Sequence, residues 1–463
     1  MDWKMKSLHR LFNPESIAVI GASDKPNRLG ALAMRSLAQS SADVFPVNPR
    51  LPSIDGRKCY ASVQEIEASI DLALIALQGP RVHSAITQCA QAKVGAAIVF
   101  SAGFKELGPI GEQMQLQIRN IANEAQLAII GPNCLGAGNI RRNLNATFFP
   151  HPVPLREGNV ALVSQSGGVA GLMIYASADA GVGISKFASV GNRVNVDFPD
   201  ILRYLHQDDE TEIICLFVEG TEKGREMYQE MALTCRDKAV LIYKVGKTPV
   251  SQNAALSHTG SLAGRSEIYS AAAKQAGAIE VESVAEMIDT AKILSLWGQK
   301  PAGRSVAILT HTLGPALIAA QVMEENGIRL PPPSDSTQNA IQHILRMPVE
   351  IPISNPIDLL AQGWSNPDLF AEAFRLILNE TQYNAVLIMF SPNYQEEIGG
   401  GMPIREIIAA KKKLEKPVVA VLNSPVRNPP SGWSLLEDAG IPVFATPEAA
   451  ALGIARAISH RTS

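Results

Sequence analysis

One histidine of this chain sits on a track of residues too small to pack. In QNAALSHTGSLAG, His258 is flanked by Ala254, Ala255, Ser257, Thr259, Gly260, Ser261, Ala263 and Gly264. Such residues bury little apolar area. The stretch therefore leaves room for a ligand to approach or for the loop to move, though alone it also reads as an ordinary solvent-facing loop. Upstream, Ser164, Gln165, Ser166, Gly167 and Gly168 follow the apolar run VALV and open a helix. Downstream, THTLG, with Thr312 and Gly314, follows VAIL in the same way. A helix start carries unsatisfied N–H groups and the positive end of the helix dipole, and small residues let an anion reach them. Two such starts aimed at one point would hold a doubly charged phosphate. A histidine beside that cradle points to a phosphohistidine intermediate. The nucleophilic ring must be neutral, and a carboxylate on its other nitrogen fixes the tautomer. Glu219, closing the strand IICLFVEG, is the candidate, with a plain surface charge as the alternative. His311, inside THTLG, is the rival histidine and reads better as capping or lining a helix start.

A third turn of this kind stands near the N-terminus. In SIAVIGASDKPNRLG, Gly21, Ala22 and Ser23 end an apolar run, with Lys25 and Arg28 nearby. The spacing is not the full G-x-G-x-x-G fingerprint, which favours a phosphate-bearing nucleotide other than ordinary NAD. Neither a Walker A loop nor a G-x-S-x-G elbow occurs, so no ATP site or serine triad is evident. The five cysteines are odd in number and scattered, with no CxxC pair, so no metal site is expected and a reducing, cytoplasmic home fits.

The elements that must position these turns follow from the pattern. At 463 residues the chain is too long for one ordinary core. Hydrophobic residues make up 46% and aromatics only 5%, so Val, Ile, Leu and Ala carry the packing, as suits parallel sheets covered on both faces. The net charge of −3 gives no argument for nucleic acid. No apolar run approaches the roughly 20 residues of a membrane span. Each of the three turns opens an α/β unit. Boundaries are expected near 150 and 300, with FFPHPVPLREG and WGQKPAGRS as linkers. Doubly wound sheets bind ligands beyond the carboxyl ends of their strands. That rule marks Gly21 to Ser23, Asn48 to Arg50, Ser101 to Gly103, Gly131 to Gly136, Ser164 to Gly168, Glu219, and Thr310 to Gly314.

Taken together and in order, NPESIAVIGAS, FPVNPR, DLALIAL, SAGFKELG, IIGPNCLG, GNVALVSQSGG, SVGNRVNVDFPD, SHTGSLAG and SNPIDLL make a specific set. Along nearly its whole length the chain resembles the α subunit of NDP-forming acyl-CoA synthetases, the ADP-forming acetate–CoA ligases related to succinyl-CoA synthetase. The resemblance implies a CoA-binding Rossmann-like domain over 1–150, a flavodoxin-like ligase domain with the phosphohistidine loop over 151–300, and a second flavodoxin-like domain over 301–463. It implies exchange of acyl-CoA, ADP and phosphate with acid, CoA and ATP through an acyl phosphate and His258, with Glu219 orienting the ring. Phosphate would fall on Ser164, Gln165, Ser166, Gly167 and Gly168, with Thr312 and Gly314 as a second cradle. CoA would fall on Gly21, Ala22, Ser23, Lys25, Arg28, Asn48, Arg50, Ser101, Gly103 and Asn133. Cys134, Gly191 and Asn192 would line the acyl pocket. The nucleotide site, with Mg²⁺, would belong to an ATP-grasp β subunit in an α2β2 assembly, and small residues around His258 would let it swing between sites. THTLG departs from the Asn-Ala-Gly-Gly turn the family leads one to expect. Two other readings stay open: a non-catalytic CoA-binding regulatory module, and a nicotinamide oxidoreductase. The intact SHTGSLAG argues against the first, and NPR after the second strand against the other.

Overall fold

The computed structural model describes residues 2–150, 154–248, 250, 264–298, 301, 303–346, 351–391, 403–424 and 432–459. The chain divides into two compact units, Met1–Ile288 and Asp289–Ser463.

The first unit holds two sheets. After helix α1 (Trp3–Phe12) come β1 (Ser16–Ile20), α2 (Leu29–Ser36), β2 (Asp43–Val47), and a small hairpin of β3 (Ser53–Ile54) and β4 (Arg57–Lys58). Then follow β5 (Leu72–Ile75), α3 (Gly79–Gln91), β6 (Ala96–Val99), α4 (Pro109–Glu124) and β7 (Ala128–Ile130). The first sheet is parallel throughout, in the order β2-β1-β5-β6-β7. Apart from the edge strand β2, its strands are buried on both faces. Ile17, Val19, Leu72, Leu74, Ile98 and Ile130 point into one core, and Ala18, Ile20, Ile75, Val99 and Ile129 into another. That alternation is why the strands read as unbroken apolar runs.

The second sheet begins with an antiparallel pair, β8 (Gly136–Asn139) and β9 (Leu144–Thr147). It continues with β10 (Glu157–Ser164), α5 (Gly167–Asp179), β11 (Ile184–Ser189), β12 (Ile213–Val218), β13 (Ala239–Lys244) and β14 (Ile279–Glu280). The order is β14-β13-β12-β10-β11-β8-β9. β10 to β14 run parallel, and β8 pairs antiparallel with β11. The expected linker FFPHPVPLREG is therefore not a free connection. Glu157 already belongs to β10, and Phe148 packs edge-on against Phe100 with ring centroids 5.3 Å apart.

The second unit holds β15 (Val306–Thr310), β16 (Ile357–Asp358), β17 (Ala385–Phe390), β18 (Val418–Leu422) and β19 (Val443–Phe444) in the parallel order β16-β15-β17-β18-β19. Alternate residues again feed two cores: Leu309, Ile388 and Leu422 on one face, Ile308, Leu387 and Val421 on the other. The architecture is the α/β, parallel-sheet one expected. In each sheet one inner strand, β1, β10 or β15, is flanked on both sides by strands that follow it in the chain, so the strand order reverses there. Crevices at such switch points are where doubly wound sheets bind ligands. No helix among the described residues is long and apolar enough to cross a membrane.

Candidate active site

The turn after β10 is built for an open helix start. Ser164 Oγ donates to the carbonyl of Ser166 at 2.7 Å, folding the chain back after the strand. Ser166 is the N-cap of α5, its Oγ accepting from Val169 N–H at 3.4 Å. A side chain at Gly168 would meet nothing closer than Ser166 Oγ, 3.9 Å from its Cβ. The first N–H groups of α5 thus face open space with the positive end of the helix behind them.

Gln165 ties this turn to the end of β12. Its Oε1 accepts from the backbone N–H groups of Glu219 and Gly220, both at 3.1 Å. Those two bonds orient the amide, so Nε2 is its donor end, buried and with no hydrogen-bond partner among the described residues. A third strand end closes in from β11. Gly191 has φ +54°, and a Cβ there would stand 2.3 Å from the Pro132 carbonyl. Only glycine lets this loop lie against the turn after β7. Asn192 beside it donates to Glu106 Oε2 at 2.6 Å and to Gln115 Oε1 at 3.1 Å. Burial pushes the Glu106 carboxyl up, but hydrogen bonds from Gly103 N–H, Asn192 and Phe104 N–H outweigh it and hold the pKa below the usual value.

These strand ends enclose a cavity of about 630 Å³. Of the sequence-predicted residues, Asn133, Cys134, Gln165, Ser166, Gly167, Gly168, Gly191, Asn192 and Glu219 line it together. Cys134 is buried and donates to the Val99 carbonyl at 3.3 Å, and burial raises its pKa strongly. It is a wall of the cavity, because only the thiolate is a nucleophile. Leu135, inside the marked strand end Gly131 to Gly136, lines it too, and the sequence reading missed the rest: Phe100, Phe148, Phe149, Gly171, Leu172 and Tyr175. One signal was available. Gly168, Gly171, Leu172 and Tyr175 repeat at i, i+3, i+4 and i+7, the period of one helix face.

Lys244, at the end of β13, was also missed. Its ammonium lies 4.9 Å from the Tyr269 ring centre. Burial lowers its pKa to about 8, with Glu219 pulling the other way. The Tyr269 hydroxyl in turn accepts from Thr221 N–H at 2.9 Å.

The predicted CoA residues lie at the carboxyl edge of the first sheet. Gly21 has φ +88°, and its Cβ would stand 2.8 Å from the Ala76 carbonyl, so β1 turns directly against the end of β5. Asn48 donates to the Ala22 carbonyl at 2.8 Å and accepts from Arg50 N–H at 2.9 Å. Ser23 Oγ accepts from Lys25 N–H at 3.1 Å. Lys25, Arg28 and Arg50 are exposed. Ser101 and Gly103 stand farther along the edge, after β6, where the Ser101 carbonyl accepts from Asn133 N–H at 2.9 Å. Thr312 and Gly314 belong to the second unit. There His311 is buried, and its Nε2 accepts from Ser391 N–H at 3.0 Å, so the ring is held neutral and serves as a strap. His258 lies outside the described residues. No group of three His, Cys, Asp or Glu side chains among the described residues could hold a metal ion.

Residues 15–139 match the family model for a CoA binding domain, and residues 157–294 that for a succinyl-CoA ligase like flavodoxin domain. Over 448 residues, 95% of each chain, the sequence is 34% identical to the α subunit of acetate–CoA ligase [ADP-forming] II of Pyrococcus furiosus. This chain belongs to the ADP-forming acetate–CoA ligase family. A second member of that family, acetate–CoA ligase [ADP-forming] I of Archaeoglobus fulgidus, is 36% identical over 84% of this chain, which covers only 55% of that longer protein. Among solved structures, the dinucleotide forming acetyl-coenzyme A synthetase 1 of Ca. Korarchaeum cryptofilum, in complex with phosphate and ADP, superposes with a TM-score of 0.88 at 31% identity. It matches 98% of this chain and 96% of its own. The ligase-family match thus extends through the second unit, beyond the residues that the two family models cover.

Proposed function

We propose that this chain is the catalytic α subunit of an ADP-forming acyl-CoA synthetase, catalysing acyl-CoA + ADP + phosphate ⇌ acid + CoA + ATP. The observation that carries the reading is the single cavity shared by the open start of α5, Glu219 and an apolar wall. Phosphate sits on the N–H groups of Ser166 to Gly168, with the Gln165 Nε2 donor beside it. A phosphate oxygen attacks the thioester carbon. The carbon–sulfur bond breaks and CoA leaves as the thiol, giving an acyl phosphate. One ring nitrogen of His258 then attacks phosphorus. The acid departs with the bridging oxygen, and the phosphoryl group stays on the imidazole. Glu219 fixes the neutral tautomer that attacks. The phosphohistidine is finally discharged to ADP.

CoA is held along the carboxyl edge of the first sheet by Gly21 to Ser23, Lys25, Arg28, Asn48, Arg50, Ser101, Gly103 and Asn133. The acyl group enters by Cys134, Gly191 and Asn192. Thr312 and Gly314 form a second, weaker anion-binding helix start. The nucleotide and its Mg²⁺ bind to an ATP-grasp β subunit in an α2β2 assembly, in a reducing cytoplasm. The working division of the chain is 1–150, 151–300 and 301–463.

The test is phosphorylation. The chain is co-expressed with its β subunit and given labelled ATP and Mg²⁺. Acid-labile, base-stable label on the wild type but not on His258→Ala is the expected result. Glu219→Gln is expected to slow labelling by ~100-fold or more. Label that persists in His258→Ala removes the histidine from the mechanism. Absent label with intact CoA binding moves the chain to the regulatory-module reading.

A further inference from the structure

The turn after β6 touches both halves of the proposed site, through a side chain that takes no part in the steps above. Glu106 sits in that turn, half-buried and outside the cavity lining. We infer that Glu106 is a positioning residue for acyl transfer to and from CoA: it fixes the Asn192 amide at the cavity wall and couples that amide to the CoA-binding turn. This rests on the reading above, which places CoA at Gly103 and the acyl group at Asn192.

The geometry of the carboxylate is the first argument. Its Oε1 accepts from Gly103 N–H at 2.6 Å and from Phe104 N–H at 3.2 Å. Its Oε2 accepts from Asn192 Nδ2 at 2.6 Å. One rigid group therefore holds the CoA edge with one oxygen and a cavity side chain with the other. The turn itself is wedged in place. Phe104 is 1% exposed, and a Cβ at Gly111 would stand 1.8 Å from its carbonyl oxygen, so the start of α4 lies directly against the turn.

The orientation of the amide is the second. Despite its burial, Glu106 has a pKa below the ordinary value, so its carboxylate only accepts. Gln115 Oε1 accepts from the same Asn192 Nδ2 at 3.1 Å. Neither Glu106 nor Gln115 lines the cavity, so the NH₂ end of Asn192 is drawn away from it. The oxygen end is left toward Asn133, which does line the cavity and whose Nδ2 donates to it at 3.5 Å. That bond is long and leaves the oxygen with capacity to spare. A neutral acceptor at this wall suits the thiol or an amide N–H of the CoA arm and offers nothing to phosphate oxygens.

The division of labour within the turn is the third. Lys105 pairs with Glu222, in the loop after β12 that also carries Glu219. The residue beside Glu106 thus holds the loop of the histidine-orienting carboxylate, and loss of the Glu106 carboxylate leaves that pair in place.

The test uses the co-purified α and β subunits with ATP, Mg²⁺, acetate and CoA. Glu106→Gln keeps the shape but turns an NH₂ group toward a donor. It is expected to lower kcat/KM for CoA by at least about tenfold, the scale of a hydrogen bond lost from a charged group. Histidine labelling from ATP, which needs neither acid nor CoA, is expected to stay within about twofold of wild type. Asn192→Ala is expected to lower kcat/KM for CoA as much, and Glu106→Gln added to it to cost nothing further, because both remove one interaction. Where Glu106→Gln does not fold, Gln115→Leu at the second acceptor is expected to show the same split at roughly threefold. Normal CoA turnover in whichever of these two variants folds overturns the inference. So does labelling that falls as far as CoA turnover, which marks general damage, and so do losses that multiply in the double variant. A wild type that takes no label sinks the proposed function and this inference together. A wild type that labels, with Glu106→Gln turning over CoA normally, sinks this inference alone.

Discussion

The turn Ser164-Gln165-Ser166 in the first unit and the turn Thr310-His311-Thr312 in the second can be laid side by side. In each, the first hydroxyl donates to the carbonyl two residues on, Ser164 to Ser166 at 2.7 Å and Thr310 to Thr312 at 3.0 Å. In each, the middle side chain accepts backbone N–H from the loop after a neighbouring strand of the sheet, Gln165 from Glu219 and Gly220 after β12, His311 from Ser391 after β17. The differences lie at the helix start. Ser166 caps its helix with its hydroxyl, whereas the Thr312 Oγ1 is buried with no hydrogen-bond partner among the described residues. Gly168 leaves the first start open and Gly167 lets it lie against Leu135, where a Cβ would stand 3.2 Å from the backbone nitrogen, whereas Leu313 stands 43% exposed on the second. One scaffold leaves one helix start open and places an exposed leucine on the other. A side chain's role is thus set by what its second face can still offer: Gln165 keeps a donor after tying two amides.

The comparison is broken most severely at the glycines. Gly167→Leu copies the second turn onto the first and is expected to cost at least about 100-fold in histidine phosphorylation, the usual effect of losing preorganised backbone donors. The reverse copy, Leu313→Gly, is expected to lower the KM for phosphate by roughly threefold, since glycine permits closer backbone approach. Steady-state kinetics of the two variants test whether the second start binds phosphate at all.

The straps are next in size. Gln165→Leu strands two amides and His311→Leu one, at about 1–3 kcal/mol for each that finds no water. Thermal unfolding is expected to show the larger loss for Gln165→Leu. His311→Gln, which restores the first turn's chemistry, is expected to recover most of the loss at position 311. It is also expected to remove a pH dependence. Burial lowers the His311 pKa below its ordinary value of 6.5, with Asp358 opposing. The unfolded chain therefore takes up a proton near pH 6.5 while the native ring stays neutral. The strap's contribution is full above that pH and is lost as pH falls below it. Melting curves between pH 5 and pH 7.5 are expected to converge for wild type and His311→Gln at the acid end.

The smallest effect concerns Lys244. Its native pKa of about 8 lies below the ordinary 10.5, so below about pH 8 the native state carries a buried cation, and between those values it sheds the proton first. Lys244→Met is expected to raise the melting temperature by a few degrees at pH 7 and by less at pH 9.5.

Much of this was legible in the chain itself. Parallel strands buried on both faces leave unbroken apolar runs, so their ends could be located, and nine of the candidate residues, Asn133, Cys134, Gln165 to Gly168, Gly191, Asn192 and Glu219, line one cavity. The aromatic wall was not legible. Phe148 and Phe149 sit in a stretch whose prolines read as a linker, and their neighbours in space come from distant sequence. Nor was β8: GAGN has none of the branched or aromatic residues that signal a strand. Its pairing is settled by β11, which needs an edge partner, rather than by its own propensity. The equivalence of Gln165 and His311 was hidden for a plainer reason, since an amide and an imidazole share no sequence signal, only an acceptor at the same reach.

That inconspicuous strand bears on how the chain can be cut. β8 and β9 are encoded before residue 150 yet cover the edge of β11 in the sheet that follows. A fragment begun at residue 151 would present β11, six residues long, as a bare edge with unpaired N–H and C=O groups. Exposed edges of this kind recruit other chains. Fragments that start at or before Gly136 are expected to stay monodisperse, and those that start after Thr147 to self-associate.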